Sequence, residues 1–123
     1  MLVLVAQFFL AASGAFDTAP NEESFQPHRA LGGGIVLIAV LVTVVAAIAR
    51  MPGRLIGMSG LVAGLALVQF LIKGIATALD GASGGLVFGL HAVNGLVIVA
   101  VTGRILRQAR QLSGPATPAR QAS

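Results

Sequence analysis

Two histidines are the residues best suited to chemistry in this chain, because cysteine is absent and the four acidic residues lie outside the apolar stretches. His28 and His91 are the only histidines, and each has a glycine four residues later, at Gly32 and Gly95. On a helix, that spacing puts the glycine one turn away on the same face. Neutral imidazole ligates iron well, and two opposed imidazoles form the axial pair of a b-type heme (heme b). The pattern predicts His28 and His91 as metal ligands, with Gly32 and Gly95 leaving room for the macrocycle.

A structural role for both histidines stays open. A histidine near the membrane surface can cap a helix or form a hydrogen bond, and glycine one turn away is common in a chain with 16 glycines. Depth also matters: His28 falls at the outer rim of its apolar segment, and His91 falls about 10 Å inside its own. A heme shared by both requires the second helix to begin nearer Asn21.

The elements that position these residues follow from the composition. Of 123 residues, 56% are hydrophobic and 10% are charged, whereas soluble domains carry about 25% charged residues. Four apolar segments, at residues 2–16, 27–49, 55–79 and 84–105, are long enough, or nearly so, for membrane-spanning helices. We therefore predict an all-α fold, an integral membrane four-helix bundle over residues 1–110. A disordered cytoplasmic tail rich in Pro, Ala and Ser is predicted over residues 111–123.

The first segment has a second interpretation, as a cleaved signal peptide over residues 1–15. It ends in small residues that resemble a cleavage site, but it has no Lys or Arg before the apolar run. A retained helix is the favoured interpretation.

The distribution of charge predicts the topology. Six of the eight basic residues lie between the second and third segments or at and beyond the end of the fourth, and all four acidic residues lie in the other two loops. The positive-inside rule then places both termini in the cytoplasm of a multi-pass protein of the cell membrane. The basic residues are explained as topology signals, so nucleic acid is not an expected partner.

An internal repeat relates the two halves. Residues 5–10 (VAQFFL) parallel residues 67–72 (LVQFLI), an offset of 69 − 7 = 62 between Gln7 and Gln69. Residues 28–32 (HRALG) parallel residues 91–95 (HAVNG), an offset of 91 − 28 = 63. Each half runs in the same direction, so the bundle is predicted to consist of two parallel helix-hairpin repeats.

Polar residues near the histidines have two possible roles. Lys73 is the only charge well inside a segment, and with Arg29 it could pair with heme propionates. Lys73 could equally extend to the headgroup region. Gln7 and Gln69 are more simply explained as interhelical hydrogen-bonding residues.

Residues 2–110 resemble one four-helix half of a heme A synthase, and also small uncharacterised bacterial four-helix membrane proteins. The resemblance is carried by Gln-x-x-Leu at residues 7–10, His28-Arg29-x-x-Gly32, LVQFLIKG at residues 67–74, and His91. It implies b-type heme held by paired histidines, here His28 and His91. The chain has half the usual length, no cysteine pair, and no Glu one helical turn before His28, so the resemblance does not extend to heme hydroxylation.

Three functions remain to be separated. The first is a bis-histidine heme protein that transfers electrons or holds heme, with the lipid bilayer, a redox partner or further copies of the chain as partners. The second is a non-catalytic membrane subunit or assembly factor without a cofactor. The third, a small transporter, rests only on Lys73 and Gln69.

Overall fold

The computed structural model describes residues 1–79 and 81–113, and every regular element within them is a helix. The elements are α1 (Leu2–Ala15), α2 (Asn21–Ser24), α3 (Gln26–Ile48), α4 (Gly53–Ala78) and α5 (Gly81–Leu112). The prediction of an all-α fold is confirmed for this part of the chain. Asp80 and residues 114–123, which include most of the predicted tail, lie outside the described residues.

Three helices are long and apolar enough to cross a membrane. α3, α4 and α5 contain 23, 26 and 32 residues, so each exceeds a hydrocarbon core of about 30 Å at 1.5 Å per residue. Many of their large apolar side chains are exposed, as Ile48 at 77% and Leu86 at 78% illustrate. Such exposure is unfavourable in water and expected against lipid. The chain is therefore a membrane protein.

The first helix is shorter than the other three. α1 contains 14 residues, which span about 21 Å. Its side chains are mostly exposed and apolar, including Leu2 at 86% and Phe9 at 68%. A fourth membrane span at α1 remains a prediction.

The turn between α3 and α4 is closed by backbone hydrogen bonds. The amide of Arg50 donates to the carbonyl of Ala47 at 3.1 Å, and the amide of Met51 donates to that of Ala46 at 3.0 Å. Arg50 has a φ of 51°, and this left-handed residue with its pair of bonds is a Schellman motif. Pro52 follows and directly precedes α4, so the chain reverses within a few residues.

The α1–α3 connection contains a helical turn that the sequence pattern did not predict. Within it, Ser24 is buried, and its hydroxyl donates to the carbonyl of Ala19 at 2.9 Å. Gly14 of α1 approaches the Ser24 carbonyl so closely that a Cβ on Gly14 would lie 2.7 Å from that oxygen. Only Phe25 separates α2 from α3, so helical backbone begins almost at Asn21, as a shared site at His28 and His91 requires.

α4 is the most buried helix and has a neighbour on each side. It packs against α3 and α5, while α1 packs against α3. Its buried residues are mostly small and recur at helical spacing, which allows close approach of the helices: Leu55, Ser59, Ala63, Ala66 and Ala76. The side-chain amide of Asn94 also donates to the Leu65 carbonyl at 2.8 Å. This packing fixes α5, which carries His91, relative to α4.

Candidate functional site at His28 and His91

The two histidines lie next to each other although they come from different helices. His28 is in the first turn of α3, and His91 is ten residues into α5. Their ring centroids are 6.0 Å apart, with an interplanar angle of 52°. Both side chains are half-buried. Because the centroids are 6.0 Å apart, the two imidazoles differ in depth by no more than that distance, and most of the offset suggested by the sequence is an offset of the helix ends.

Gln7 of α1 holds His28 through its backbone and its side chain. Nδ1 of His28 lies 3.1 Å from the Gln7 carbonyl oxygen, and because a carbonyl only accepts, Nδ1 carries the proton. The Gln7 side-chain amide donates to the His28 carbonyl at 2.9 Å and lies 3.3 Å from Nε2. In the neutral ring, Nε2 therefore has the lone pair and accepts a hydrogen bond from the Gln7 amide. A ring N–H bound to a backbone carbonyl is the usual support of a metal-ligating histidine.

The surroundings of His91 are similar but less completely bonded. The backbone of Gln69 lies beside the His91 ring. Nevertheless, Nδ1 of His91 is buried without a hydrogen-bond partner, as are the side-chain oxygens of Gln7 and Gln69. Buried polar atoms are rarely left unpaired. His91 Nδ1 and the Gln7 amide oxygen are the two of these atoms at the imidazole pair, where the protein leaves part of the hydrogen-bonding capacity unused.

Gly32 and Gly95 face glutamine side chains rather than open space. A Cβ on Gly32 would lie 3.1 Å from the Gln7 amide nitrogen. One on Gly95 would lie 3.4 Å from the Gln69 amide nitrogen and 3.2 Å from the Phe8 ring. Each glycine therefore has a glutamine amide beside it, and at Gly95 the Phe8 ring lies closer still.

Aromatic side chains flank both imidazoles, and the spacing of histidine and glycine alone does not indicate them. Phe88 stacks on His91 with centroids 5.3 Å apart and an angle of 6°. Phe25 meets His28 edge-on at 6.4 Å and 86°. The signal was present, because each phenylalanine lies three residues before its histidine and 88 − 25 = 63 equals the histidine offset. Each half thus contains Phe-x-x-His-x-x-x-Gly.

The two basic residues singled out by the sequence are in different environments. The Arg29 guanidinium donates to the backbone carbonyl of Glu22 in α2. Lys73 is exposed on α4, within electrostatic range of His91. Both are close in the chain to site residues, since Arg29 follows His28 directly and Lys73 follows Gln69 by one helical turn.

The described residues do not form a conventional metal-ion site. They contain no group of three or more His, Cys, Asp or Glu side chains that could hold a metal ion. Two imidazoles suffice for heme iron because the porphyrin supplies the other ligands. Two surface grooves lie away from the histidines, one between α4 and α5 and one along α3.

Comparison with known proteins adds one match. Residues 7–78 match the model of a family of unknown function, DUF6220, which is 78 − 7 + 1 = 72 of the 123 residues. The matched segment includes Gln7, His28 and Gln69 but ends before His91. No curated protein and no solved structure matches the chain.

Proposed function

The chain belongs to the DUF6220 family, whose function is unknown, and we propose from its own side chains that it is a membrane-bound b-type heme protein. His28 and His91 are the axial ligands in this proposal. The observation that carries it is the separation of 6.0 Å between the two ring centroids. With metal–nitrogen bonds of about 2 Å, imidazoles on opposite sides of one metal ion have ring centres about 6 Å apart.

The protonation state of His28 supports the same role. The Gln7 carbonyl accepts from Nδ1, which leaves Nε2 as the ligating nitrogen. The Gln7 amide, 3.3 Å from that nitrogen, has to move aside for a metal to bind there. Such a movement would also leave space beside Gly32. In the second half, movement of the Gln69 amide and the Phe8 ring would leave space beside Gly95.

The proposal includes a four-helix bundle made of two parallel hairpin repeats, α1–α3 and α4–α5. One support is the shared Phe-x-x-His-x-x-x-Gly pattern. The other is the offset between the last residues of corresponding helices, which is 78 − 15 = 63 for α4 and α1 and 112 − 48 = 64 for α5 and α3, close to the histidine offset of 63. The halves differ at the start. Leu2 corresponds to residue 2 + 62 = 64, so the first 64 − 53 = 11 residues of α4 have no counterpart in α1.

Each site residue has a distinct task. His28 and His91 bind iron, the Gln7 carbonyl orients the His28 ring, and Gly32 and Gly95 provide room for the macrocycle. Arg29 and Lys73 supply positive charge for the propionates. A bound heme would supply a one-electron iron couple, and filling both axial positions disfavours oxygen chemistry. Electron transfer to a redox partner, or heme holding, is the function that this arrangement suits best.

The direct test is a spectrum of the full chain, produced with a heme supply and purified in detergent. We expect about one heme per chain in a pyridine hemochrome assay and the low-spin absorption bands of six-coordinate iron. A preparation that shows no heme absorption after incubation with heme and removal of unbound heme would contradict the proposal. The alternative, a membrane subunit with structural histidines, would then be favoured by the hydrogen bonds between Gln7 and His28.

The proposed topology has its own test. Arg50 and Arg54 lie at the α3–α4 turn, and three further arginines lie in the last turns of α5 (Arg104, Arg107 and Arg110). These ends meet at one side of the bundle, which the positive-inside rule makes cytoplasmic. A reporter that works only in the cytoplasm is expected to be active when fused after the last residue, and a reporter that works only outside the cell is expected to be inactive there. A reporter active only outside the cell would reverse the topology.

A further inference from the structure

We propose that the groove between the arginine-bearing ends of α4 and α5 binds an anionic phospholipid, with the lipid phosphate at the arginines. The groove has a volume of about 510 Å³. It is separate from the histidine site, and the proposal does not depend on heme binding. This arginine groove has one stripe of side chains from each helix as its walls.

The α4 wall changes from charged to apolar along the helix. It consists of Arg54, Met58 and Leu61, at spacings of four and three residues that share one helix face. Arg54 is the second residue of α4, and Leu61 is seven residues later, about 10 Å further into the membrane. The positive charge is thus at the end of the helix and the apolar side chains are deeper.

The α5 wall has the same gradient in the opposite chain direction. Val101 is the deepest residue, and Arg104, Arg107, Gln108 and Gln111 follow toward the helix end. α5 runs antiparallel to α4, so Arg54 and Arg107 belong to the same end of the groove. The complete surface therefore has a cationic, amide-rich mouth and an apolar floor, which is complementary to a phosphate headgroup and the start of an acyl chain.

No acidic side chain lies at this end of the described helices to pair with the arginines of the groove. Asp17, Glu22 and Glu23 lie in the connection between α1 and α3, at the opposite end of the helices, and the sequence has no acidic residue from 24 to 79 or from 81 to 113. Arg104 and Arg107 are three residues apart on one helix, a spacing at which like charges repel. A phosphate relieves that repulsion, and guanidinium groups can bind its oxygens in a bidentate manner.

A membrane lipid is the occupant that the floor favours. Free phosphate would use the arginines but gain nothing from Met58, Leu61 and Val101. Basic pockets between membrane helices are suited to anionic headgroups, and each basic residue near the surface contributes to that attraction. The occupant proposed is therefore an anionic phospholipid of the leaflet at this end, such as phosphatidylglycerol.

The test measures phosphatidylglycerol binding to the full chain in detergent, by native mass spectrometry or by lipid titration. The double variant Arg54→Gln/Arg107→Gln is expected to bind about 30-fold more weakly, from about 1 kcal/mol for each arginine. The matched control is Arg50→Gln/Arg110→Gln, which removes the same charge at the same end but outside the groove. The control keeps the guanidinium groups that line the groove, so it is expected to bind phosphatidylglycerol more tightly than the groove variant does.

Additional variants and ligands distinguish a lipid phosphate from free phosphate and control for misfolding. Val101→Phe fills the floor and is expected to weaken lipid binding while leaving the arginines in place. Any of three results would overturn the proposal. Both double variants could lose the same affinity for phosphatidylglycerol, phosphatidylcholine could bind as tightly as phosphatidylglycerol, or inorganic phosphate could bind as tightly as the lipid. If the groove variant loses helical circular dichroism, Arg107→Lys replaces it, because it keeps the charge and removes the bidentate group. Unchanged lipid binding in Arg107→Lys would then count against the guanidinium contact.

Discussion

Replacing His91 by alanine is expected to convert the heme-loaded protein from a six-coordinate to a five-coordinate spectrum, or to abolish heme binding. The same result is expected for His28→Ala, because the rings are 6.0 Å apart and each supplies one axial nitrogen in the proposed site. Disturbing the hydrogen-bonding support of a ligand typically lowers metal affinity by about 10- to 100-fold. Removing the ligand itself should lower heme affinity by more than that. Heme occupancy and the absorption spectrum of each purified variant are the measurements.

Two controls separate ligation from packing. Phe88→Leu removes the ring that stacks on His91 but leaves the imidazole, and it should retain a six-coordinate spectrum. Added imidazole should restore six-coordination to whichever alanine variant still binds heme, since it replaces the missing nitrogen. If either histidine variant keeps the wild-type spectrum, that histidine is not a ligand. If both variants only lower the thermal stability, the histidines are structural.

Replacing Gly84 by alanine is expected to destabilise the α4–α5 hairpin by about 1–3 kcal/mol, the range typical of overpacking. A Cβ there would lie 2.5 Å from the Leu79 carbonyl oxygen and 2.7 Å from that of Ala76. Both neighbours are backbone atoms, so a rotamer change cannot remove the clash, and the two helices have to separate. Thermal unfolding in detergent, followed by helical circular dichroism, measures the effect.

Gly85→Ala is the matched control, one residue further along the same helix. Its Cβ would have no neighbour within 4 Å, and alanine is favoured over glycine inside a helix by up to about 1 kcal/mol. The neighbouring substitutions should therefore differ in sign, with Gly84→Ala lowering the melting temperature and Gly85→Ala leaving it unchanged or raising it. A similar decrease in both would show that the close approach at Gly84 does not limit the packing.

Much of the helical framework is predictable from the sequence. α3 begins and ends within one residue of the predicted segment 27–49, and α4 within two residues of 55–79, because long apolar runs must satisfy their backbone hydrogen bonds internally. α5 is the exception, since it continues to Leu112 rather than residue 105. Its last two turns carry arginines and glutamines, whose good helix propensity is not a hydropathy signal.

The offsets of 62 between the two glutamines and 63 between the two histidines also predict that His28 pairs with His91. Periodicity along a helix identifies which residues share a face. It could also have identified Phe25 and Phe88, whose spacing to the histidines is the same in both halves. The sequence by itself therefore determined the four longer helices, the faces on which the imidazoles lie, and the separation of acidic and basic ends.

Only the tertiary structure decided how the helices are aligned along their axes. The depth of His28 relative to His91 depends on that alignment, which the close packing of small residues such as Ala63 and Ala66 along α4 sets. The same alignment brings the Gln7 carbonyl to His28 Nδ1 and the Gln7 amide to Gly32. These contacts join residues at least 21 positions apart, and no local pattern encodes them, because they depend on how two helix surfaces fit together in three dimensions.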